Sequence, residues 1–177
     1  MGIPLDAVVL ISVGDLNRNK NNRIVIKALN EMNDNNIHYI LCGEGPWKKK
    51  LKRMSDLEHV HFLGMRADIS ELLTTSDIFI ISSFREGLSR SLMEAMASGL
   101  PCIVSDIRGN RDLIEEGKGG FLFEATHAKD VISCIKRLDH KTIRSFGDWN
   151  QKRIEYYRKS RVIRELISIY HDCIYRG

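Results

Sequence analysis

Two glutamates eight residues apart, Glu86 and Glu94, follow an apolar run and enter a segment with helical spacing. Gly87 lets the chain turn between them, so that the free N–H groups of the helix point outward. Such N–H groups bind anions, and a carboxylate accepts hydrogen bonds from sugar hydroxyls. The two carboxylates and the anion site together predict a site for a nucleotide sugar.

The same segment supports a second interpretation. Ser91 and Glu94 have the S-x-x-E spacing of a capping box, in which the glutamate bonds a backbone N–H at the start of its own helix. In that case Glu94 stabilises the helix and binds no ligand. The sequence leaves both interpretations open.

A third candidate is Lys20, at the end of the loop that begins with Gly14. This loop has neither the G-x-G-x-x-G pattern nor a P-loop. A lysine at a helix start opposes the helix dipole, so either it faces a phosphate or it is a solvated side chain.

The loop with Gly43 and Gly45 either approaches a ligand or makes a tight turn into a helix.

Short apolar runs alternate with amphipathic segments along most of the chain. This alternation predicts an α/β fold, a Rossmann-like doubly wound six-stranded parallel sheet with helices on both faces. Ligands of such sheets bind at the carboxyl ends of the strands, where the candidates above lie. We predict strands at Ala7–Val13, Ile37–Cys42, Val60–Leu63, Asp77–Ser82, Pro101–Ser105 and Gly120–Phe123, and helices at Asn22–Met32, Ala67–Thr75, Ser89–Ser98 and about Trp149–Ile174.

Composition narrows the class of protein. The 177 residues are 43% hydrophobic and 28% charged, typical of a globular chain, and the net charge is +4. No apolar run has the length of a membrane span, and the first residues are not typical of a signal peptide. Cys42 and Cys102 lie in strand-like runs and are expected in the core, which favours the reducing cytoplasm. Aromatic residues do not alternate with basic ones, so we expect no nucleic-acid partner.

Two weaker signals concern metals and membranes. His59 and His61 share a strand face, but no third ligand is evident, so we expect no metal site. The segment from Lys141 to Leu166 contains eight basic residues and three acidic ones. Such a helix either contacts anionic lipid or is a solvated face.

The segment EGLSRSLMEAMASGLP, from Glu86 to Pro101, resembles the E-x7-E signature of the group 1 glycosyltransferases. These are nucleotide-sugar-dependent retaining enzymes of the GT-B architecture, with two Rossmann-like domains. Four other segments are similar to that family in the same order: SVGDLNRNKN at 12–21, LCGEGP at 41–46, HFLGMRADI at 61–69 and SDIRGNRDLIEEGKGGFLF at 105–123, the last similar to the exopolysaccharide and capsule branch.

The resemblance implies roles for individual residues. Lys20 matches a lysine on the donor diphosphate, Glu86 a glutamate facing the donor sugar and Glu94 a glutamate on the ribose. Asp15 stands where the family often has an arginine, for which Arg18 is a candidate substitute. Catalysis is assigned to Glu86 and Lys20 without a metal or other cofactor, and donor binding of a UDP- or GDP-linked sugar to Gly14, Arg18, Lys20, Gly43, Gly45, Met65, Arg66, Glu86, Gly87, Leu88, Ser89, Arg90 and Glu94.

The implied function is transfer of a sugar, with retention, to a saccharide or lipid-linked acceptor in polysaccharide biosynthesis. The alternatives are a sugar-nucleotide epimerase of the same architecture and a non-catalytic nucleotide-sugar-binding domain. Residues 1–148 correspond to the donor-binding domain, the C-terminal half of GT-B. Residues 149–177 correspond to a C-terminal helix that would brace an N-terminal acceptor domain.

The resemblance also implies partners and a location. Without the acceptor domain the chain is expected to be inactive alone, in the cytoplasm or at the inner face of the membrane. The last predicted helix would then expose an apolar face or bury it in a homodimer. That face comprises Ile154, Tyr157, Val162, Leu166, Ile169 and Cys173.

Overall fold

A computed structural model describes residues 2–175 and contains one six-stranded parallel sheet. The predicted strands and their parallel pairing are confirmed. The strands are β1 Val8–Val13, β2 Ile37–Cys42, β3 Val60–Gly64, β4 Ile78–Ile81, β5 Cys102–Ser105 and β6 Gly120–Phe123, in the spatial order β3-β2-β1-β4-β5-β6.

The order of the strands reverses between β1 and β4. From β1 the chain winds outward through β2 and β3, then returns to β4 and winds the other way. The loops after β1 and β4 therefore diverge and open a crevice at the carboxyl edge of the sheet. This crevice separates the loop that contains Lys20 from the loop that contains Glu86.

Helices cover both faces of the sheet. Alternate strand residues point to opposite faces, so Leu10 and Ile80 enter one core and Ile11 and Phe79 the other, all fully buried. Cys42 and Cys102 are buried as predicted. The helices are α1 Asn22–Met32, α2 Lys48–Met54, α3 Ile69–Thr74, α4 Arg90–Ala97, α5 Arg108–Arg111, α6 Ala128–Lys136, α7 His140–Ile154 and α8 Lys159–Tyr175.

The prediction of a single final helix from about Trp149 to Ile174 was wrong. Helix α7 begins after Asp139, whose carboxylate accepts a hydrogen bond from the Thr142 N–H at 2.7 Å. It ends in a 3-10 turn, and Arg158 separates it from α8. The Tyr157 hydroxyl donates to the Asp112 carbonyl at 2.9 Å and holds this end of the chain on the domain. The apolar spacing on both sides of the turn predicts helices, but it does not show whether they form one continuous helix.

Helix α7 and the turn that follows it pack on the domain. Asn150 is fully buried, and its amide donates to the carbonyls of Leu100 and Gly119, both at 2.7 Å. Helix α8 instead exposes large apolar side chains between Val162 and Ile174, including Leu166 and Ile169. Residues 176–177 of the predicted C-terminal segment lie outside the described residues.

Three histidines lie close together at the edge of the sheet: His38 on β2, His61 on β3 and His59 just before β3. His38 Nδ1 and His61 Nε2 are 3.0 Å apart in a hydrogen bond, and the His59 ring centroid is 5.1 Å from that of His38. His59 bonds Asp56 at 2.6 Å. Burial lowers the pKa of both His38 and His61, and a second imidazole nearby lowers each further.

This cluster makes stability depend on pH. The unfolded chain protonates His38 and His61 at the ordinary value near 6.5, whereas the folded chain resists protonation. The stabilising effect is therefore present above pH 6.5 and is lost as the pH falls below it. We expect the free energy of unfolding, measured with urea, to fall between pH 7.5 and 5.5. Replacing both residues by glutamine should flatten this dependence, whereas replacing the exposed His140 should not; equal slopes in both variants would contradict the assignment.

Candidate functional site

The first wall of the crevice is the loop after β1. Gly14 follows the strand with a positive φ of 146°, and the Lys20 side chain lies across it. A Cβ atom at Gly14 would lie 3.3 Å from Lys20 Cε. The Lys20 N–H donates to Asn17 Oδ1 at 3.0 Å, which closes the loop just before α1. The loop therefore directs the ammonium of Lys20 back toward the end of β1.

The second wall is the loop from β4 to α4. Ser89 precedes the helix in an extended conformation, and its hydroxyl accepts a hydrogen bond from the Leu92 N–H at 3.4 Å. Ser89 is thus the N-cap, so the capping-box interpretation of Ser91 and Glu94 was wrong. Glu94 lies in the second turn with an exposed side chain. Its carboxylate is free to bind a ligand in the crevice.

An ion pair joins the two walls. Lys20 Nζ donates to Glu86 Oε1 at 2.7 Å, with only 22% of the lysine side chain and 13% of the glutamate side chain exposed. The interpretation of Lys20 as a freely solvated side chain was therefore wrong. Partial burial reduces screening by water, so this pair is stronger than an ordinary surface ion pair.

Hydrogen bonds from Asn19 and Ser82 hold the same two loops together. Asn19 donates through its amide to the Arg85 carbonyl, and its own carbonyl accepts from the Phe84 N–H, both at 2.9 Å. The Ser82 hydroxyl donates to the Lys20 carbonyl at 2.9 Å. Lys20 and Glu86 are thereby fixed by their backbones as well as by their own contact.

Helix α5 supports the second wall from behind. Gly109 packs so closely that a Cβ atom would lie 2.1 Å from the Gly87 carbonyl oxygen and 2.5 Å from that of Glu86. Asn110 is fully buried and donates to the Ser105 carbonyl at 2.8 Å, which anchors α5 to β5. Sequence reasoning missed Asn19, Ser82 and Gly109, since nothing local in the sequence marks these long-range contacts.

Between the walls lies an open cleft of about 350 Å³. Basic Lys20 and Arg90 and the acidic residues Asp15, Glu86 and Glu94 line it. This arrangement can bind a ligand with phosphate at one part and hydroxyl groups at another. Seven predicted donor-binding residues line the cleft: Gly14, Lys20, Glu86, Leu88, Ser89, Arg90 and Glu94.

The other predicted residues lie outside this lining. Gly43 and Gly45 bring the loop after β2 against the first loop, where a Cβ atom at Gly43 would lie 2.0 Å from the Gly14 carbonyl oxygen. Close packing of these two loops therefore explains why glycine is required at both positions. Arg66 follows β3 and bonds Asp68 through both its Nε and Nη2 atoms. Arg18, Met65 and Gly87 are exposed.

Two further kinds of site concern metals and membranes. Among the side chains that the structure describes, no group of three or more His, Cys, Asp or Glu is arranged to hold a metal ion. His38 bonds His61, and His59 bonds Asp56, each histidine through one ring nitrogen. None of the helices in the described part of the chain combines the length and apolar character that crossing a membrane requires.

A doubly wound sheet with a lysine and two carboxylates at its switch point defines a class of nucleotide-binding α/β domains. Comparison with known families makes the assignment specific. Residues 1–159 match the model of the family described as glycosyl transferases group 1, and the chain belongs to that family. The resemblance seen in the sequence is thereby confirmed.

Individual relatives agree with this assignment. The chain is 30% identical to EpsD of Bacillus subtilis over 96% of the chain and 46% of the relative. It is 31% identical to an Escherichia coli UDP-Gal:alpha-D-GlcNAc-diphosphoundecaprenol alpha-1,3-galactosyltransferase, over 78% of the chain and 38% of the enzyme. The chain spans less than half the length of either relative.

A solved structure confirms the fold. Anabaena Alr3699/HepE, crystallised with UDP and glucose, superimposes with a TM-score of 0.85 at 24% identity. The match covers 94% of this chain and 48% of the Anabaena chain. The sheet and its flanking helices therefore have the fold of about half of the Anabaena chain.

Proposed function

We propose that this chain is the donor-binding half of a glycosyltransferase that takes a sugar from a nucleoside diphosphate sugar. The observation that carries the proposal is the partly buried Lys20–Glu86 pair, which lies in a cleft at the strand switch point. The names of the E. coli relative and of the Anabaena complex, both of which include UDP, support a nucleotide-sugar donor.

Each cleft residue has a role in this proposal. Lys20 and the N–H groups at the start of α4 bind the diphosphate, Glu86 faces the sugar and Glu94 accepts hydrogen bonds from the ribose. The bond between the sugar and the diphosphate breaks with its electron pair on the diphosphate, and Lys20 stabilises that charge. The acceptor hydroxyl oxygen forms the new bond to the sugar with retention of configuration, and its proton passes to the departing diphosphate.

No metal is assigned a step, because the lysine and the helix N–H groups supply the positive charge. Turnover by the full-length protein should therefore be unchanged when a chelator is added. A loss of turnover that magnesium or manganese restores would contradict this part of the proposal.

The acceptor side of the crevice belongs to residues outside this chain. Transfer needs donor and acceptor held together away from water, and the relatives are more than twice as long as their matched parts. We therefore infer that the isolated chain binds the donor but transfers no sugar. The acceptor is a saccharide or lipid-linked saccharide in polysaccharide biosynthesis, reached from the cytoplasm.

Calorimetric titration of this chain with UDP and GDP tests the proposal. Binding of either nucleotide is expected, weakened by the missing half of the cleft. Absence of binding at millimolar concentration would contradict it. Product analysis with the full-length protein then separates the classes, since an epimerase returns an altered sugar nucleotide and a transferase releases the nucleoside diphosphate.

Exchange of Glu94 for glutamine separates ligand binding from helix stabilisation. The neutral amide makes weaker bonds to the ribose hydroxyls, so the nucleotide affinity should fall about tenfold. Stability should not change, because Ser89 is the cap. The matched variant Ser89→Ala should lose about 1 kcal/mol of stability. Calorimetry and urea unfolding on both variants provide the measurement, and a destabilised Glu94→Gln chain with normal affinity would contradict the assignment.

A further inference from the structure

Helix α2 concentrates the positive charge of the chain. Its seven residues, Lys48–Met54, include four lysines and one arginine. The net charge of the whole chain is +4, so all other residues together carry a net charge of −1. Helix α2 thus carries five positive charges within seven residues, a denser cluster than the net +5 spread over residues 141–166.

Helix stability explains only Lys52 and Arg53, which lie in the last turn, where positive charge favours the helix dipole. Lys48, Lys49 and Lys50 occupy its first turn, which contains no acidic residue and where positive charge opposes the helix dipole. Lys48 pairs with Glu44. The other four basic side chains, Lys49, Lys50, Lys52 and Arg53, are exposed and have no acidic partner within 4.0 Å in the described part of the chain; we call them the α2 basic surface.

Apolar side chains border the α2 basic surface. Met54 and Leu57 are exposed at 36% and 59%. Lys50 Nζ lies 4.5 Å from the ring centroid of Trp47, and Lys52 Nζ lies 5.6 Å from that of Phe62. The lysine stems therefore lie along the domain and cover these rings.

The α2 basic surface begins at the edge of the sheet that contains the cleft. The Trp47 N–H, just before α2, donates to the Leu16 carbonyl in the first loop at 2.9 Å. A helix of this length extends about 10 Å from that edge. A surface contacted by α2 would thus lie beside the crevice.

We propose that the α2 basic surface docks on an anionic lipid bilayer. Clustered lysines and arginines bind anionic headgroups through charge complementarity, and exposed apolar side chains beside them can enter the interface. Nucleic acid fits less well, because Lys50 and Lys52 lie over the rings of Trp47 and Phe62 and compete with bases for stacking there. The proposal stands independently of the proposed function, since it requires no donor or transfer.

Vesicle flotation tests the proposal with this chain and no nucleotide. The chain is expected to bind phosphatidylcholine vesicles that contain 30% phosphatidylglycerol, and not vesicles of phosphatidylcholine alone. Each Lys or Arg near such a bilayer contributes roughly a fivefold factor, so replacing the four residues of the α2 basic surface by glutamine should lower the partition coefficient by roughly 600-fold.

A second variant controls for net charge. Lys129, Lys136, Lys141 and Arg144 are exposed on α6 and α7, and their replacement by glutamine removes the same charge. This variant should retain most binding, and circular dichroism should show both variants folded. Equal losses in both variants, or no binding of the unaltered chain to anionic vesicles, would overturn the proposal. Equal binding to neutral vesicles would assign the contact to the apolar face of α8, and binding to a DNA duplex without vesicle binding would assign it to nucleic acid.

Discussion

A chain in which glutamine replaces Lys20 is expected to bind nucleoside diphosphates 10- to 100-fold more weakly. Hydrogen bonds to charged groups contribute about 1.5–3 kcal/mol each, and glutamine replaces the ammonium by a neutral amide on a side chain one atom shorter. The loss is increased because Glu86, 13% exposed, stays beside the ligand without its cation. Calorimetric titration with UDP and GDP measures the effect.

Lys27 provides a matched control. It pairs with Glu31 at 3.6 Å on the exposed side of α1, outside the cleft. Lys27→Gln removes the same charge from the same part of the chain, and its nucleotide affinity should be unchanged. If both variants bound with the same reduced affinity, the effect would come from overall charge, and the role of Lys20 would be refuted.

Exchange of Glu86 for glutamine is expected to act in opposite directions on binding and turnover. In the empty cleft Glu86 holds Lys20, so an arriving diphosphate must share or displace that contact at 2.7 Å. Glutamine removes this competition and the repulsion between carboxylate and phosphate. The affinity for a nucleoside diphosphate should therefore rise several-fold.

Turnover should fall in the same variant. The proposed role of Glu86 is to face the donor sugar, where a charge develops as the bond to the diphosphate breaks. Losing one such electrostatic contact costs roughly 100- to 1,000-fold in rate. Transfer is measured in the full-length protein and affinity in this chain, with Glu31→Gln as the control. Weaker binding of UDP by Glu86→Gln would contradict the proposed competition for Lys20.

The strands were predictable because their determinants are local. Buried parallel strands are almost continuously apolar, as in Val8–Val13, and glycines end them. Helix α1 was predicted with its observed bounds for a similar reason, since its apolar spacing is regular and a left-handed Asn33 ends it. The short helix α5 was not predicted, because its four residues have no periodic pattern.

The candidate site was predictable in composition and not in geometry. Spacing indicated Lys20, Glu86 and Glu94, but a sequence does not show that two of them form an ion pair 66 positions apart. The choice between Ser89 and Ser91 as the N-cap depended on where the backbone leaves its extended conformation. The glycines after β2 were expected to lie beside a ligand. In the structure they instead pack closely against the loop after β1.

The close packing of Gly109 on the Glu86 loop also has a consequence for the order of events during synthesis. The ribosome releases Lys20 first, but the loop opposite it lacks its support until residues beyond Gly109 have emerged and β5 has paired with β4. A nascent chain therefore carries an incomplete cleft until those residues have been made. If the cleft binds a nucleotide as proposed, the ligand can stabilise the domain only after that point, and earlier folding proceeds without it.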